Sequence, residues 1–273
     1  MIIITMRLTK LTLILMLFFN GLMAQNTSVK SLFCYGDIVP AQVTGFDYVV
    51  LESAWFTSEE VLFFKNENKN VLAYISLGEV SETAAFYATI SSETLGKNTI
   101  WDSHVLDIEA VKTQEVLLQE IEKIVVNKRF DGLFIDNIDN YTIYGPTPQK
   151  KEALISFLKA LKTLYPELKV MQNAGLEILE ETYHFIDAVA VESIASDYDF
   201  DKNNYRLRDK KTFKSRLNLV KSSAKTYQLP IIAIEYANSK VLKTKIEKRL
   251  KTSKLSLFIG QIDLQKIPNW YFK

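Results

Sequence analysis

Cysteine and histidine are scarce in this 273-residue chain, which has one cysteine, Cys34, and two histidines, His104 and His184. A single cysteine excludes an intrachain disulfide. So few thiols and imidazoles also make a serine–histidine triad, a cysteine protease or a multi-ligand zinc site hard to assemble. We therefore expect no metal and no cofactor, and we expect the chemistry to depend on carboxylates, amides and tyrosines.

Net charge is nearly absent as well, because 33 basic residues face 32 acidic ones. This balance argues against a nucleic-acid partner or an anionic membrane surface, and the lysine-rich last third is typical of a solvated helical face. Linkers rich in glycine, serine or proline, low-complexity tracts and internal repeats are also missing. With 48% hydrophobic residues, the composition predicts one folded domain with an ample core, which we expect to be a monomer.

A long apolar run occurs only at the amino terminus. Arg7 and Lys10 precede a short apolar stretch, and an acceptable cleavage site ends at Ala24. We predict a signal peptide over residues 1–24 and a mature domain over residues 25–273 that is secreted or periplasmic, with no membrane span after cleavage. The alternative is an uncleaved anchor, for which the apolar run is short.

Short apolar runs alternate with helical patterns along the rest of the chain. Eight strand-like runs separated by helices in about 250 residues predict an α/β fold, a single-domain (β/α)8 TIM barrel. Residues 101–108 are read as part of a long loop, although a ninth strand there stays open. The predicted strands are 32–36, 48–52, 71–77, 132–136, 169–173, 188–192, 231–236 and 257–261, and the predicted helices include 112–127, 149–164, 210–225 and 240–251.

Polar residues stand at the carboxyl ends of several predicted strands. In the sixth strand Ala188, Ala190 and Glu192 share one face, so small residues point into the barrel and Glu192 reaches its inward rim. Active sites of such barrels are built at this rim, although a strand can also simply end where a polar loop begins. The same alternation places four other polar residues on inward faces: Ser76, Asp136, Asn173 and Glu235.

Two carboxylates facing one cleft are the equipment of a glycosidase. Asp136 ends an apolar strand and Glu192 ends another, so both are candidate catalytic residues. Asp131 precedes its strand and is better read as a turn or capping residue beside Gly132. The residues alone do not decide which carboxylate attacks.

Four segments resemble the successive motifs of glycoside hydrolase family 114, which contains endo-α-1,4-polygalactosaminidases. They are VLAYISLGE at 71–79, FDGLFIDNID at 130–139, MQNAG at 171–175 and VAVES at 189–193. The resemblance covers the chain from about residue 32 to its end. It implies hydrolysis of an α-1,4-linked galactosamine-type polysaccharide, with Asp136 as the nucleophile and Glu192 as the general acid/base. We expect retention of configuration.

The resemblance also implies which residues contact the substrate. Glu79, Asn137, Asp139 and Asn173 fall on motif positions that would line the sugar-binding cleft. Tyr74 and Ser76 fall on the strand below that cleft, and they complete the set of substrate-contacting residues that the resemblance implies.

Amino sugars would suit a rim of this composition. Each free galactosamine carries an ammonium group, to which Glu79, Asp139 and Glu235 could offer charge-assisted hydrogen bonds. Aromatic side chains near strand ends could stack on sugar faces, or simply pack. These aromatic candidates are Tyr35, Trp55, Tyr141, Tyr144 and Tyr236.

Several alternatives stay open. The protein could cleave another extracellular polysaccharide, or be a carbohydrate-binding barrel without turnover. Asp136 and Asp139 could hold magnesium in a lyase, but no phosphate-binding glycine loop accompanies them. The alternating acids of segment 197–203 suggest calcium, yet Lys202 and Arg208 break the EF-hand pattern. We read that segment as a mobile loop that borders the cleft.

Overall fold

A computed structural model describes residues 29–272. The predicted signal peptide, residues 1–24, lies outside the described residues. The strands, numbered in chain order, are β1 (Ser31–Cys34), β2 (Tyr48–Leu51), β3 (Val71–Ser76), β4 (Glu79–Ser81), β5 (Thr94–Asn98), β6 (Ser103–Leu106), β7 (Gly132–Asp136), β8 (Lys169–Asn173), β9 (Ala188–Glu192), β10 (Ser196–Asp199), β11 (Asn204–Leu207), β12 (Ile231–Tyr236) and β13 (Ser256–Gly260). The α-helices are α1 (Ser58–Glu67), α2 (Tyr87–Ile90), α3 (Val111–Glu122), α4 (Lys151–Leu164), α5 (Leu179–Thr182), α6 (Lys210–Tyr227) and α7 (Lys240–Leu250).

Eight parallel strands form a nearly closed barrel in the order β1-β2-β3-β7-β8-β9-β12-β13. At the seam β1 lies against β13, where the Phe33 and Phe258 rings are 5.3 Å apart. Beyond β1, the Tyr35 backbone N–H donates to the Leu264 carbonyl at 2.7 Å. Gly36 permits this approach, because a Cβ atom there would collide with the backbone carbonyl of Gln265. The predicted (β/α)8 barrel is confirmed, and four of its eight strands have the predicted bounds.

The helices pack on the outside of the barrel, as their sequences require. In α4 Leu154, Leu158 and Leu161 recur at helical spacing and are buried. Burying each such leucine contributes on the order of 1.5–3 kcal/mol. Helix α1 begins with a capping box, in which the side chains of Thr57 and Glu60 each bind the other residue's backbone N–H. None of the helices within residues 29–272 is long and apolar enough to cross a membrane.

Aromatic rings fill the barrel beneath its carboxyl end. Phe33 and Phe134 meet edge to face with their centroids 5.5 Å apart, and Phe258 packs against Phe33 from the other side of the seam. Tyr74 lies next in this stack, 6.3 Å from Phe134. The core is therefore apolar up to the level of Tyr74, and polar side chains occupy the rim above.

Two insertions at the carboxyl end differ from the prediction. Residues 101–108 are not simply loop, since β6 is the central strand of a separate antiparallel sheet with β4 and β5. Segment 197–203 belongs to an antiparallel hairpin of β10 and β11 rather than a loop without structure. The hairpin is formed by backbone pairing, which the acidic residues of this segment do not indicate. Asp197 forms ion pairs with Arg206 at 2.8 Å and with Arg208 at 3.1 Å. The two insertions touch where the Trp101 and Phe200 rings lie 5.3 Å apart.

Candidate active site

Three neighbouring strands each end in a polar residue followed by a left-handed one. Asp136 at the end of β7 precedes Asn137, with φ 57°, and Asn173 at the end of β8 precedes Ala174, with φ 58°. Ser193, with φ 54°, follows Glu192 of β9 in the same way. Asparagine accepts this backbone region readily, whereas alanine and serine are strained there. The chain thus turns sharply at three adjacent strand ends and leaves each polar side chain on the inward rim.

Asn173 connects the two candidate carboxylates. Its side-chain nitrogen donates to Asp136 Oδ1 at 2.8 Å and to Glu192 Oε1 at 2.7 Å, and the residue is only 4% exposed. Because both oxygens bind one nitrogen, they can be no farther apart than the two bond lengths laid end to end, about 5.5 Å. This upper limit is shorter than the 6.5–9.5 Å typical of inverting glycosidases and is compatible with the roughly 5–5.5 Å of retaining ones.

The outer oxygens of the pair are held by tyrosines. The Tyr74 hydroxyl donates to Asp136 Oδ2 at 3.0 Å, and the Tyr236 hydroxyl donates to Glu192 Oε2 at 2.5 Å. The backbone N–H of Asn137 adds a third bond to Asp136, at 2.8 Å to Oδ1. Asp136 therefore accepts three hydrogen bonds and Glu192 two, which favours the negative charge more strongly on Asp136.

Both carboxyl groups titrate above their ordinary range. Removal from water raises the pKa of Asp136, and the bonds from Asn173, Asn137 and Tyr74 act in the opposite direction. The pKa of Glu192 is also raised, first by burial and then by the negative charge of Asp136. Two such close groups titrate as a pair, in which loss of the first proton opposes loss of the second.

The other motif residues build the wall beside β7. Ser76 donates to the Asn137 side-chain oxygen at 2.7 Å and accepts from the Glu79 backbone N–H at 2.9 Å. The Glu79 carboxylate is 7% exposed and accepts bonds from three side chains, those of Asn98, Ser103 and Asn140. Glu79 thus anchors β4 and β5–β6 to the β7 loop, and its oxygens are already occupied by protein donors.

Asp139 and Tyr35 remain available to a ligand. Asp139 is exposed at the rim, and desolvation of its carboxyl by surrounding protein, followed by the charge of Asp136, raises its pKa. The Tyr35 ring packs against Tyr74 at 4.8 Å. Burial, followed by the charge of Asp136, also raises the pKa of Tyr35 well above its usual value. Both residues therefore lie close enough to the carboxylate pair to feel its charge.

Glu235 does not face the cleft, contrary to the prediction. Strand β12 pairs Ile234 with Glu192, so Ile234 and Tyr236 point inward and Glu235 points to the outer side. Its carboxylate is 0% exposed and accepts bonds from the backbone N–H groups of Ala195 and Ser196 at 2.8 and 2.6 Å. The parity was misjudged because β12 is apolar on both faces, as expected for a strand covered by helices. Glu235 fixes the start of the β10–β11 hairpin.

The remaining aromatic candidates separate into two groups. Tyr141 is buried and donates to the Leu77 carbonyl at 2.7 Å, so it is a packing residue. Trp55 and Tyr144 are exposed. Sequence reasoning missed Glu52, which directly follows β2 and whose charge reaches Tyr35 and Tyr74. Its inward direction depends on the register of β2 with β1, in which Val50 pairs with Phe33, and the sequence alone carries no signal for that register.

An eight-stranded α/β barrel with paired carboxylates at its carboxyl-end rim has the equipment of a glycoside hydrolase. The model of glycoside hydrolase family GH114 matches residues 26–271. The chain therefore belongs to this family, and it is a glycoside hydrolase. No match was found among the curated proteins.

Solved structures of the same fold include the glycoside hydrolase domain of PelA from Pseudomonas aeruginosa. It is 27% identical, with a TM-score of 0.78 over 87% of this chain and 96% of that domain. Ega3 from Aspergillus fumigatus, solved in complex with galactosamine, is 13% identical, with a TM-score of 0.69 over 87% of this chain and 92% of that one. An α-galactosidase from Thermus thermophilus is 9% identical, with a TM-score of 0.56 over 89% of this chain and 59% of that enzyme, and is similar in fold alone.

Proposed function

We propose that this protein hydrolyses an α-1,4-linked, galactosamine-type polysaccharide with retention of configuration, using Asp136 as the nucleophile and Glu192 as the general acid/base. The observation that carries the proposal is the bridge through Asn173. It holds one oxygen of each carboxylate within about 5.5 Å of the other, a distance that suits direct attack by one of them.

In the first step Glu192 protonates the departing glycosidic oxygen while Asp136 attacks the anomeric carbon. Three donors stabilise the charge of Asp136, so Asp136 is the member that stays ionised. Burial and the neighbouring charge of Asp136 raise the pKa of Glu192, which favours the protonated form that a general acid needs. The bond between the anomeric carbon and the glycosidic oxygen breaks as the bond to Asp136 forms.

In the second step Glu192, now ionised, removes a proton from a water molecule. That water attacks the anomeric carbon and releases Asp136, so two inversions give net retention. Asn173 donates to both carboxylates, and we infer that it keeps their separation constant while the proton is lost and regained. Tyr74 and Tyr236 fix the outer oxygens and so orient the two groups.

The preference for an amino sugar is supported by Ega3, which was solved in complex with galactosamine. It is also supported by the exposed carboxylate of Asp139 at the rim, since a carboxylate in a partly desolvated site binds an ammonium group strongly. The substrate-binding residues that we propose are Asp139, Tyr35, Tyr74, Tyr236, Ser76, Asn137 and Asn173, and Glu79 supports them from the wall beside β7. We also propose export through residues 1–24, because a polysaccharide of this kind lies outside the cell.

Product analysis tests this function. The mature chain and its Asp136→Asn and Glu192→Gln variants are incubated with partly deacetylated α-1,4-galactosaminan, and products are identified by mass spectrometry. We expect shorter oligomers from the wild type and none from Asp136→Asn. Glu192→Gln should lose about 10²–10⁴-fold in rate. Glu115→Gln, on the exposed surface of α3, is the matched control and should act as the wild type.

Proton NMR of the first product formed decides the stereochemistry. An α-configured reducing end supports retention, whereas a β-configured one contradicts it. If the wild type binds the polymer without shortening it, the proposed substrate is wrong and another extracellular polysaccharide takes its place.

A further inference from the structure

The carboxylate of Glu52 lies on the inner side of the barrel mouth. Phe33, whose ring packs inside the barrel, pairs with Val50 of β2. Side chains alternate along a strand, so Glu52, two residues beyond Val50, points to the same inner side. Its charge also acts on Tyr35 and Tyr74, two tyrosines of the active site.

Glu52 is weakly satisfied compared with Glu79 and Glu235, the two buried glutamates at this end of the barrel. Glu79 accepts bonds from three side chains, and Glu235 accepts three bonds from two residues. Within the described part of the chain, the donors to Glu52 are backbone N–H groups alone, that of Ala54 at 3.3 Å and that of Ser53. The ammonium group of Lys128 binds the Ser53 carbonyl at 2.5 Å, and its charge acts to lower the pKa of Glu52 although the two side chains form no ion pair.

Desolvation accordingly raises the pKa of Glu52, as expected for a carboxylate that lacks strong donors. Glutamate is also not among the residues preferred at a helix N-cap, where Ser, Thr, Asp and Asn predominate. Its bond to Ala54 thus gives a poor structural reason for a carboxylate at this position. A cationic group from a ligand would supply the missing donor.

Trp55 is the last residue of the short 3-10 helix Ser53–Trp55 that Glu52 caps. Its indole N–H donates to the Tyr35 carbonyl at 2.9 Å, which fixes one edge of the ring, while the residue is 53% exposed. The Tyr35 ring contacts Tyr74, and the Tyr74 hydroxyl binds Asp136. Two residues, Tyr35 and Tyr74, therefore connect the exposed indole of Trp55 to the proposed nucleophile, Asp136.

We propose that Glu52 and Trp55 form a subsite for a sugar unit next to the one that is cleaved, with Trp55 stacking on the sugar ring and Glu52 binding the ammonium group of a 2-amino sugar. The inference rests on the proposed function, and it narrows the substrate to polymers with free amines. An N-acetylated sugar keeps the stacking but loses the charge-assisted bond, which is roughly twice as strong as a neutral one.

Calorimetric binding tests this subsite without depending on turnover. The probes are α-1,4-linked galactosamine tetrasaccharide and its fully N-acetylated counterpart, and the protein carries Glu192→Gln so that hydrolysis is slow during the titration. Adding Glu52→Gln should weaken binding of the free-amine probe about tenfold and leave the acetylated probe within about twofold. Adding Glu67→Gln, an exposed glutamate on the neighbouring helix α1, should change neither.

The proposed stacking by Trp55 is tested in the same Glu192→Gln protein. Trp55→Ala should weaken binding of both probes about tenfold. Trp55→Phe should keep most of the wild-type affinity, because stacking on a sugar ring needs only an aromatic face. Thermal melting of every variant shows that the fold is intact.

The inference is overturned if Glu52→Gln weakens both probes equally, if it weakens neither, or if the Glu192→Gln protein does not bind the free-amine probe at all. Failure of the proposed function gives a different result, in which the wild type cleaves neither polymer while the selective effect of Glu52→Gln on binding persists.

Discussion

Glu235 and Tyr236 are neighbours on β12 whose side chains have opposite environments. The Tyr236 hydroxyl lies 2.5 Å from Glu192 inside the barrel mouth. The Glu235 carboxylate, on the other face of the strand, holds the backbone of Ala195 and Ser196. Tyr236 thus contacts a proposed catalytic residue, whereas Glu235 holds the backbone. Substituting Tyr236 should therefore change activity, and substituting Glu235 should change stability.

Glu235→Gln should destabilise the fold. Both carboxylate oxygens accept bonds from backbone N–H groups, so the amide NH₂ of glutamine would face a donor on one side. Leaving such a buried group unsatisfied costs about 1–3 kcal/mol. Thermal melting should show a midpoint lower by several degrees, since each kcal/mol is worth about 2–4 °C at a size of 150–250 residues. An unchanged midpoint would remove Glu235 from its structural role.

Tyr236→Phe should move the alkaline limb of the pH profile upward. The Tyr236 hydroxyl stabilises the ionised form of Glu192 and so lowers its pKa against the effect of burial. Removing this donor raises the pKa of Glu192, which then stays protonated to higher pH. Measured as kcat/KM against pH, the limb assigned to the general acid shifts up while the limb assigned to Asp136 stays. A downward shift would contradict the assignment of Glu192.

Asn173→Ala should lower kcat much more than it changes KM. The substitution removes one donor from Asp136 and one from Glu192 at once, and loss of a preorganised donor of this kind costs about 10²–10³-fold. Asn173→Asp should be worse, because it adds a negative charge between two carboxylates. Steady-state kinetics on both variants checks this order, and equal rates for wild type and Asn173→Ala would show that the bridge is dispensable.

Azide should distinguish the roles of the two carboxylates. With an activated aryl α-galactosaminide, Asp136→Ala should be rescued by azide to give the β-azide, because azide attacks from the face that the nucleophile left. Glu192→Ala should give the α-azide, since azide then displaces Asp136 from a covalent intermediate. NMR of the products reads the configuration directly. The same azide from both variants would mean that the two roles have been assigned wrongly.

Gly78→Ala should damage the active-site rim. A Cβ atom there would lie 2.8 Å from the Asn137 Cβ and 2.9 Å from the Asn140 side-chain nitrogen, and closer still to the Asn137 carbonyl. We expect lower stability together with lower kcat, because Asn137 donates to Asp136. Gly96→Ala, in β5 of the adjacent insertion, is the matched control, because a Cβ atom there meets nothing within 4 Å. Activity and melting measurements on the two variants should differ clearly.

Much of the barrel could be predicted because its signals are local. Strands β7, β8, β9 and β12 are contiguous apolar runs with polar ends, and they occur at the predicted bounds. Helix α4 follows directly from apolar residues at helical spacing. The family was predicted from short segments such as 130–139, and the match over residues 26–271 confirms it.

The insertions and one strand face could not be predicted in this way. Strands β4, β5 and β6 are short, and what defines them is pairing between segments distant in sequence. On β12 Ala233 and Ile234 are both apolar, so no alternation marked the inner face, and Glu235 was placed on the wrong side. Glu52 escaped notice because only the register of β2 with β1 sets its direction.

The sequence by itself determined the eight barrel strands and the main helices between them, the absence of an intrachain disulfide and the presence of carboxylates at two strand ends, because these depend on residue type and short-range periodicity. Tertiary structure alone decided that Asn173 joins Asp136 to Glu192, that Tyr236 faces them and that Glu235 does not. Those relationships depend on strand register and barrel closure, where a shift of one residue reverses the direction of every side chain.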